Sequence, residues 1–258
     1  MPYLDDAPRP VAMAHRGGAL LAANHGIENT LAAFRRAHAL GFRYLETDVH
    51  VSADGVVYAF HDLDLRRMTG EPTAIGDVDS TLLDTVRLGA GEPIPRLVDL
   101  LGELPDCRFN VDVKSDAAVE PTIAVLRAAD ALDRVCIGSF SHRRLARVRA
   151  LEPRLATSMS PPEVAALRLG PVRAVWGWGA RRGARCVQVP PRRGAFRVVT
   201  PGVLRRTRAL GHPVHVWTID DPDEMHALLD LGVDGIVTDR PDVLRDVLRS
   251  RGEWTETA

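Results

Sequence analysis

Cysteine is scarce: three in 258 residues, Cys107, Cys136 and Cys186, with no CxxC or CxxH spacing among them. That excludes a disulfide framework and a thiolate zinc site, and the expectation is three buried, reduced thiols. Reduced thiols fit a reducing compartment, so a cytoplasmic location is expected. A basic excess is lacking too, because 33 Lys and Arg face 34 Asp and Glu. A dedicated nucleic-acid binder normally carries such an excess, so no nucleic-acid partner is expected. No apolar run nears the ~20 residues of a membrane span. The opening MPYLDDAPRP has acids and prolines where a signal peptide has a basic region and an apolar core. Neither GxGxxG nor GxxxxGK(S/T) occurs, which removes the usual dinucleotide and nucleoside triphosphate sites. What is present is the stuff of a large core: 45% hydrophobic and 26% charged residues. The pairs Arg143-Arg144, Arg181-Arg182, Arg192-Arg193 and Arg205-Arg206 read as solvated faces of helices or loops.

Strand-like and helix-like segments alternate along the chain. Strands are expected at 11–16, 44–51, 108–114, 134–140, 155–159, 185–190, 213–219 and 235–240, with an antiparallel return VVYAFH after the second. Helices are expected from a cap at Asn29 or Thr30 through Leu40, and at 96–103, 117–129, 142–151, 161–168, 201–210, 222–231 and 241–250. Eight strands in βα alternation predict an α/β fold, a (β/α)8 TIM barrel, in one domain over 1–258. A doubly wound open sheet is the alternative, since alternation alone cannot show closure. A small insertion after the second strand, about 52–95, is expected. Its 63–95 stretch is too long for an ordinary loop and reads as an insertion without a core of its own.

The stretch YLETDVHVSADGVVYAFHDLDLRRMT, from Tyr44 to Thr69, carries the densest chemistry. Glu46, Asp48 and His50 alternate at period two and share one face of a strand. Asp54-Gly55 is a two-residue hairpin signal, which would pair Ala53 with Val56 and set Asp48 opposite His61. Barrel function sits at the C-terminal ends of strands. Those ends carry His15-Arg16, Glu46/Asp48/His50, Asp112/Lys114, Ser139, Ser158/Ser160, Gln188, Trp217/Thr218 and Asp239. Three carboxylates there would repel one another, and a hard divalent cation, Mg2+ or Ca2+, resolves that with all-oxygen ligation. Taken singly each residue has a plainer reading: a carboxylate paired with Arg16 or Lys114, a structural His15, a packed Trp217, and His50 closing the hairpin. Their coincidence at one end of one barrel favours a catalytic site.

The residues resemble the glycerophosphodiester phosphodiesterase family along nearly the whole chain. The resemblance rests on AHRGG at 14–18, ENT at 28–30, ETDVHVSADG at 46–55, FHDLDLRRMT at 60–69, NVDVKS at 110–115, HVWTID at 215–220 and DGIVTDRPD at 234–242. It implies a TIM barrel with a small insertion after the second strand, and hydrolysis of glycerophosphodiesters to glycerol 3-phosphate and an alcohol. It also implies His15 and His61 as the acid–base pair, and Glu46, Asp48 and Asp112 as ligands of one divalent cation. Arg16 and Lys114 would contact phosphate, and Trp217 would wall the glycerol pocket. Three positions depart from the family pattern: Asp112 where Glu is usual, Ile27 where Pro precedes ENT, and Asp220 where Asn often follows VWT. A lysophospholipase D, a lyase forming cyclic phosphates, and a silent glycerophosphodiester-binding protein are the competing expectations.

Overall fold

The computed structural model describes residues 2–255. Its strands are β1 (Val11–His15), β2 (Tyr44–Val51), β3 (Val57–Ala59), β4 (Arg108–Val113), β5 (Val135–Gly138), β6 (Ala156–Thr157), β7 (Val187–Val189), β8 (Arg192–Arg193), β9 (Phe196–Arg197), β10 (Val214–Val216) and β11 (Gly235–Thr238). All but β3, β8 and β9 form a parallel series in the order β6-β5-β4-β2-β1-β11-β10-β7. Its two ends then meet. Arg185 N donates to the Thr157 carbonyl at 2.8 Å and Met159 N to the Cys186 carbonyl at 3.0 Å. The sheet closes, and the open-sheet alternative falls.

The helices are α1 (Pro2–Asp5), α2 (Leu31–Ala39), α3 (Arg66–Thr69), α4 (Ser80–Leu83), α5 (Leu97–Glu103), α6 (Val119–Ala128), α7 (His142–Leu151), α8 (Pro161–Leu169), α9 (Arg173–Trp176), α10 (Trp178–Arg181), α11 (Pro201–Leu210), α12 (Pro222–Leu231) and α13 (Pro241–Ser250). Their limits are local chemistry. The side chains of Thr30, Ser141, Thr200 and Asp221 each accept from the backbone N–H three residues on. Proline opens α8, α11, α12 and α13, where its missing N–H costs nothing. Helices α7, α11, α12 and α13 match the ranges expected from sequence. The short α1, α9 and α10 and the β8–β9 hairpin were not foreseen, because each is too short to show a period.

Alternate residues of each barrel strand point inward, and these columns run from apolar to polar toward the C-terminal end. Val11 and Met13 lead to His15; Tyr44 leads to Glu46 and Asp48; Cys136, Cys186 and Val237 pack below. Tyr3 of α1 joins this inner cluster, and its carbonyl accepts the Tyr44 hydroxyl at 3.0 Å. All three cysteines are free and buried, as expected.

His215 lies in the same interior, fully buried, with both ring nitrogens unpartnered. Burial pulls its pKa down to about 4. The unfolded chain protonates this ring near the ordinary histidine value, whereas the native state does not until the pH is far lower. Stability therefore falls as pH drops through that window, by about 2 kcal/mol near pH 5. Urea titrations should show this pH-dependent loss shrinking by about that amount in His215→Leu. An equal loss in both proteins would mean that the native ring titrates freely.

The β2–β3 hairpin corrects the expected register. Val51 pairs with Val57, His50 with Tyr58 and Val49 with Ala59. Ser52 N donates to the Val56 carbonyl at 2.9 Å, so the loop is the three residues Ala53-Asp54-Gly55 rather than two. Gly55 supplies the positive φ of 89° that such loops require. Asp54 is drawn away from a two-residue turn because its carboxylate accepts from Ser52 Oγ, Ser80 N and Ser80 Oγ at 2.6–2.9 Å. Phe60, not His61, consequently lies opposite Asp48, with its N–H bonded to the Asp48 carbonyl at 2.9 Å. The inserted segment also has what the sequence reading denied it. Tyr58, Phe60, Leu65, Ile75, Leu83, Leu88 and Ile94 form a buried apolar cluster of their own. Their spacing follows no helix or strand period, which hid the cluster from pattern reading.

Candidate active site

Strand register builds the site. His15 stands beside Glu46 across β1 and β2. Across β2 and β4, Glu46 faces Asn110 and Asp48 faces Asp112. These side chains open on a cleft of about 820 Å3 at the C-terminal end of the barrel, with Arg16, His61, Lys114 and Trp217 also on its wall. Every residue to which the family resemblance gave a role thus borders one cavity. His61 reaches it although the register differs from expectation, because strand pairing ends at Phe60 and the chain bends inward. His50 does not line the cleft; its Nε2 lies 3.2 Å from the His61 carbonyl and holds that bend.

Charges alternate through the cluster. The Lys114 ammonium lies 2.8 Å from Asp48 Oδ1 and 2.7 Å from Asp112 Oδ2. The Arg16 guanidinium pairs with Asp48 Oδ2 at 3.1 Å and with Glu28 Oε1 at 3.0 Å. Burial works against the Asp48 anion, but Lys114 and Arg16 outweigh it and its pKa moves down. Glu46 behaves oppositely: burial, then the charge of Asp48, pushes it up to about 8. Both histidines have Nδ1 on a carboxylate. His15 Nδ1 is 2.8 Å from Asp239, and His61 Nδ1 is 2.6 Å from Asp62. Burial lowers the His15 pKa, yet Glu46 and the Asp239 hydrogen bond and charge more than reverse this, and it ends raised.

Sequence reasoning missed the groups that hold this cluster in place. Arg67, from the insertion, pairs with Asp62 at 2.6 Å and with Glu28 at 2.6 Å, joining the His61 arm to Arg16. The tripeptide ENT does three jobs. Glu28 pairs with Arg16; Asn29 Nδ2 donates to Asp48 Oδ2 at 3.2 Å; Thr30 caps α2. Arg16 and Asn29 both take positive φ, 50° and 61°, conformations unusual for residues with a Cβ and found where a site dictates the backbone. Asp220, the position that departs from family pattern, accepts from Thr238 Oγ1 at 2.9 Å and Asp239 N at 2.8 Å, a role an Asn oxygen would serve equally. One signal was available and unused: Lys114 is the only lysine in the chain, against 32 arginines. A compact ammonium fits between two carboxylates where a planar guanidinium does not.

By donor chemistry the residues present fit a divalent cation, although Lys114 stands between Asp48 and Asp112 and the three carboxylates do not all lie within 4.8 Å of one another. Glu46, Asp48 and Asp112 offer only oxygen, and Asp112 Oδ1 is buried without a hydrogen-bond partner. Among the described residues, the one group whose donor atoms all lie within 4.8 Å of one another is His38, Asp106 and Cys107, at the opposite end of the barrel. There Arg43 already pairs with Asp106 at 3.1 Å, and burial pushes the Cys107 thiol up to about 12.

Residues 15–243 match the pattern of the glycerophosphoryl diester phosphodiesterase family. The chain belongs to that family. A probable glycerophosphodiester phosphodiesterase 2 of Mycobacterium tuberculosis is 45% identical over 247 residues, covering 95% of this chain and 92% of that one. Among solved structures, a glycerophosphodiester phosphodiesterase of Agrobacterium tumefaciens superposes with TM-score 0.76 at 28% identity, over 93% of this chain and 98% of the other. A phosphodiesterase of Oleispira antarctica, solved with its product sn-glycerol-3-phosphate, superposes with TM-score 0.78 at 22% identity, over 93% and 97%. The chain is therefore a phosphodiesterase on a TIM-barrel scaffold, as its sequence implied. Among the described residues, no helix is long and apolar enough to cross a membrane.

Proposed function

We propose that this phosphodiesterase hydrolyses glycerophosphodiesters to glycerol 3-phosphate and an alcohol, with His15 and His61 as its acid–base pair. The observation that carries this is the arrangement of the two imidazoles. Each is fixed at Nδ1 by a carboxylate, which turns Nε2 toward a cluster of three acids and two cations, where His15 Nε2 lies 3.7 Å from Glu46 Oε2. A positioned imidazole with a carboxylate on its far nitrogen is the standard device for moving one proton to and from Nε2. His61 takes the proton from the attacking hydroxyl as its oxygen bonds to phosphorus: water gives glycerol 3-phosphate directly, whereas the neighbouring glycerol hydroxyl gives a cyclic phosphate that a water then opens to glycerol 3-phosphate. His15, whose pKa is raised by Glu46 and Asp239 against the pull of burial, gives its Nε2 proton to the alcohol oxygen as that P–O bond breaks. Arg16 and Lys114 neutralise charge on the phosphoryl oxygens. Trp217, set edge-to-face against Phe140 at 5.7 Å, walls the glycerol side.

Glu46, Asp48 and Asp112 would hold one divalent cation, Mg2+ or Ca2+, which supplies a Lewis acid and template for the phosphate. Asp112 is one methylene shorter than the usual Glu, which favours a sphere completed by water. Three buried free thiols support a cytoplasmic setting. Chelation tests the whole reading: glycerophosphocholine turnover should fall to background with EDTA and return with Mg2+ or Ca2+. Unchanged release of glycerol 3-phosphate after thorough chelation would end it.

A further inference from the structure

Acidic residues stop at Glu163 and do not return until Asp220. The 56 residues between them carry 11 arginines, whereas the rest of the chain carries 22 basic against 34 acidic residues. A formal net charge of -1 therefore conceals a strong asymmetry. Among the described residues, none of those 11 arginines forms an ion pair, although 15 of the other 21 do.

Neutral groups hold several of them instead. Arg173 and Arg206 lie 5.5 and 5.8 Å over the Trp176 ring. Arg173 also donates to the Ala209 carbonyl at 3.3 Å, and Arg206 to those of Leu167 and Arg168 at 2.6 and 3.1 Å. Arg168 lies 5.0 Å over Phe196 and donates to the Arg197 carbonyl at 3.4 Å. A guanidinium held by rings and carbonyls keeps its whole charge. These ties join α8, α9, α11 and the β8–β9 hairpin into one face beside the cleft, which Arg168 and Arg193 also line. A hollow of about 340 Å3 in that face is lined by Arg168, Trp176, Arg205 and Arg206, and no acid borders it among the described residues.

Two segments of this face are exposed at every position, 171–175 and the hairpin 192–197. Apolar side chains stand among the arginines there: Leu169, Val172, Val175 and Phe196 are 41–65% exposed. Gathered like charges repel one another, a cost that an anionic partner removes. The apolar side chains decide which partner. A soluble polyanion offers phosphate or sulfate to the arginines but leaves Leu169 and the two valines in water. A bilayer interface offers both, phosphates at headgroup level and the acyl boundary just beneath.

We propose that this arginine face docks the protein on an anionic lipid surface, with Phe196 entering the headgroup layer. The contact is peripheral and independent of the reaction proposed above.

Vesicle co-sedimentation of the full chain tests it. The protein should bind vesicles containing about one-third phosphatidylglycerol, leave them as salt rises, and ignore pure phosphatidylcholine. Combined Arg192→Glu, Arg197→Glu and Arg205→Glu, at exposed positions, should weaken binding roughly a hundredfold or more. The same reversal at Arg35, Arg66 and Arg87, in α2, α3 and the insertion, should cost about threefold at most at physiological salt. Matching thermal melts establish that both proteins fold. Phe196→Ser leaves the charge unchanged and should still weaken vesicle binding roughly tenfold, with heparin binding unaltered. No binding to anionic vesicles, equal binding to phosphatidylcholine, or equal losses in the two triple variants would overturn the proposal. Vesicle binding that Phe196→Ser leaves intact would overturn it as well, and would assign the face to a soluble polyanion.

Discussion

His15→Ala lowers kcat on glycerophosphocholine by roughly three orders of magnitude, and His61→Ala by a similar factor, with the fold intact in both. The size follows from losing proton transfer at the step where charge develops. Leaving-group chemistry separates the two roles. Choline is a poor leaving group and needs its oxygen protonated as the bond breaks; p-nitrophenol does not. With a glycerophospho-p-nitrophenyl substrate, His15→Ala recovers most of its lost rate if His15 is the acid, whereas His61→Ala stays slow. Recovery in the His61 variant alone would exchange the assignments. Recovery in neither would remove both residues from proton transfer. The Nδ1 partners make the same point structurally, since Asp62 and Asp239 orient the rings without reaching the cleft chemistry themselves.

Asp48→Ala carries the second large effect, on stability and activity together. Asp48 is 2% exposed and is the shared counter-ion of Arg16 and Lys114. Its removal leaves two cations in a buried site with half their partners, and breaking such a network costs about 3–5 kcal/mol. Asp112→Ala removes one carboxylate from Lys114 but leaves the Asp48 pair, so its loss of stability is smaller. Both variants lose turnover with any added cation. Urea midpoints of the two proteins, beside their activities, check this ordering. A destabilisation of Asp112→Ala equal to that of Asp48→Ala would contradict the view that Asp48 is the hub.

Local signals reached far in this chain. Helices α7, α11, α12 and α13 coincide with their expected ranges because each is bracketed by a capping side chain or proline and by a breaker. Strand β2 matches residue for residue, since an alternating run needs only a period to be recognised. Where local signals competed, reading failed. Asp54-Gly55 looked like a two-residue turn, but Ser80, from 26 residues downstream, takes the Asp54 carboxylate and a three-residue loop results. The insertion's core was hidden for a similar reason: its members are brought together by contacts between irregular segments, which leave no period behind.

The sequence alone determined the barrel's strands and longer helices, the inward columns of the strands, and which residues gather at the cleft, because caps, periods and turn signals act within a few positions. Closure of the barrel depended on Thr157 and Met159 meeting Arg185 and Cys186, a contact no alternation encodes. The same holds for the ties from Arg67 to Asp62 and Glu28 and from Asp239 to His15. These are through-space relations between residues distant along the chain. Only packing eight strands into a ring brings them within hydrogen-bond reach, and only there do separate charges become one site.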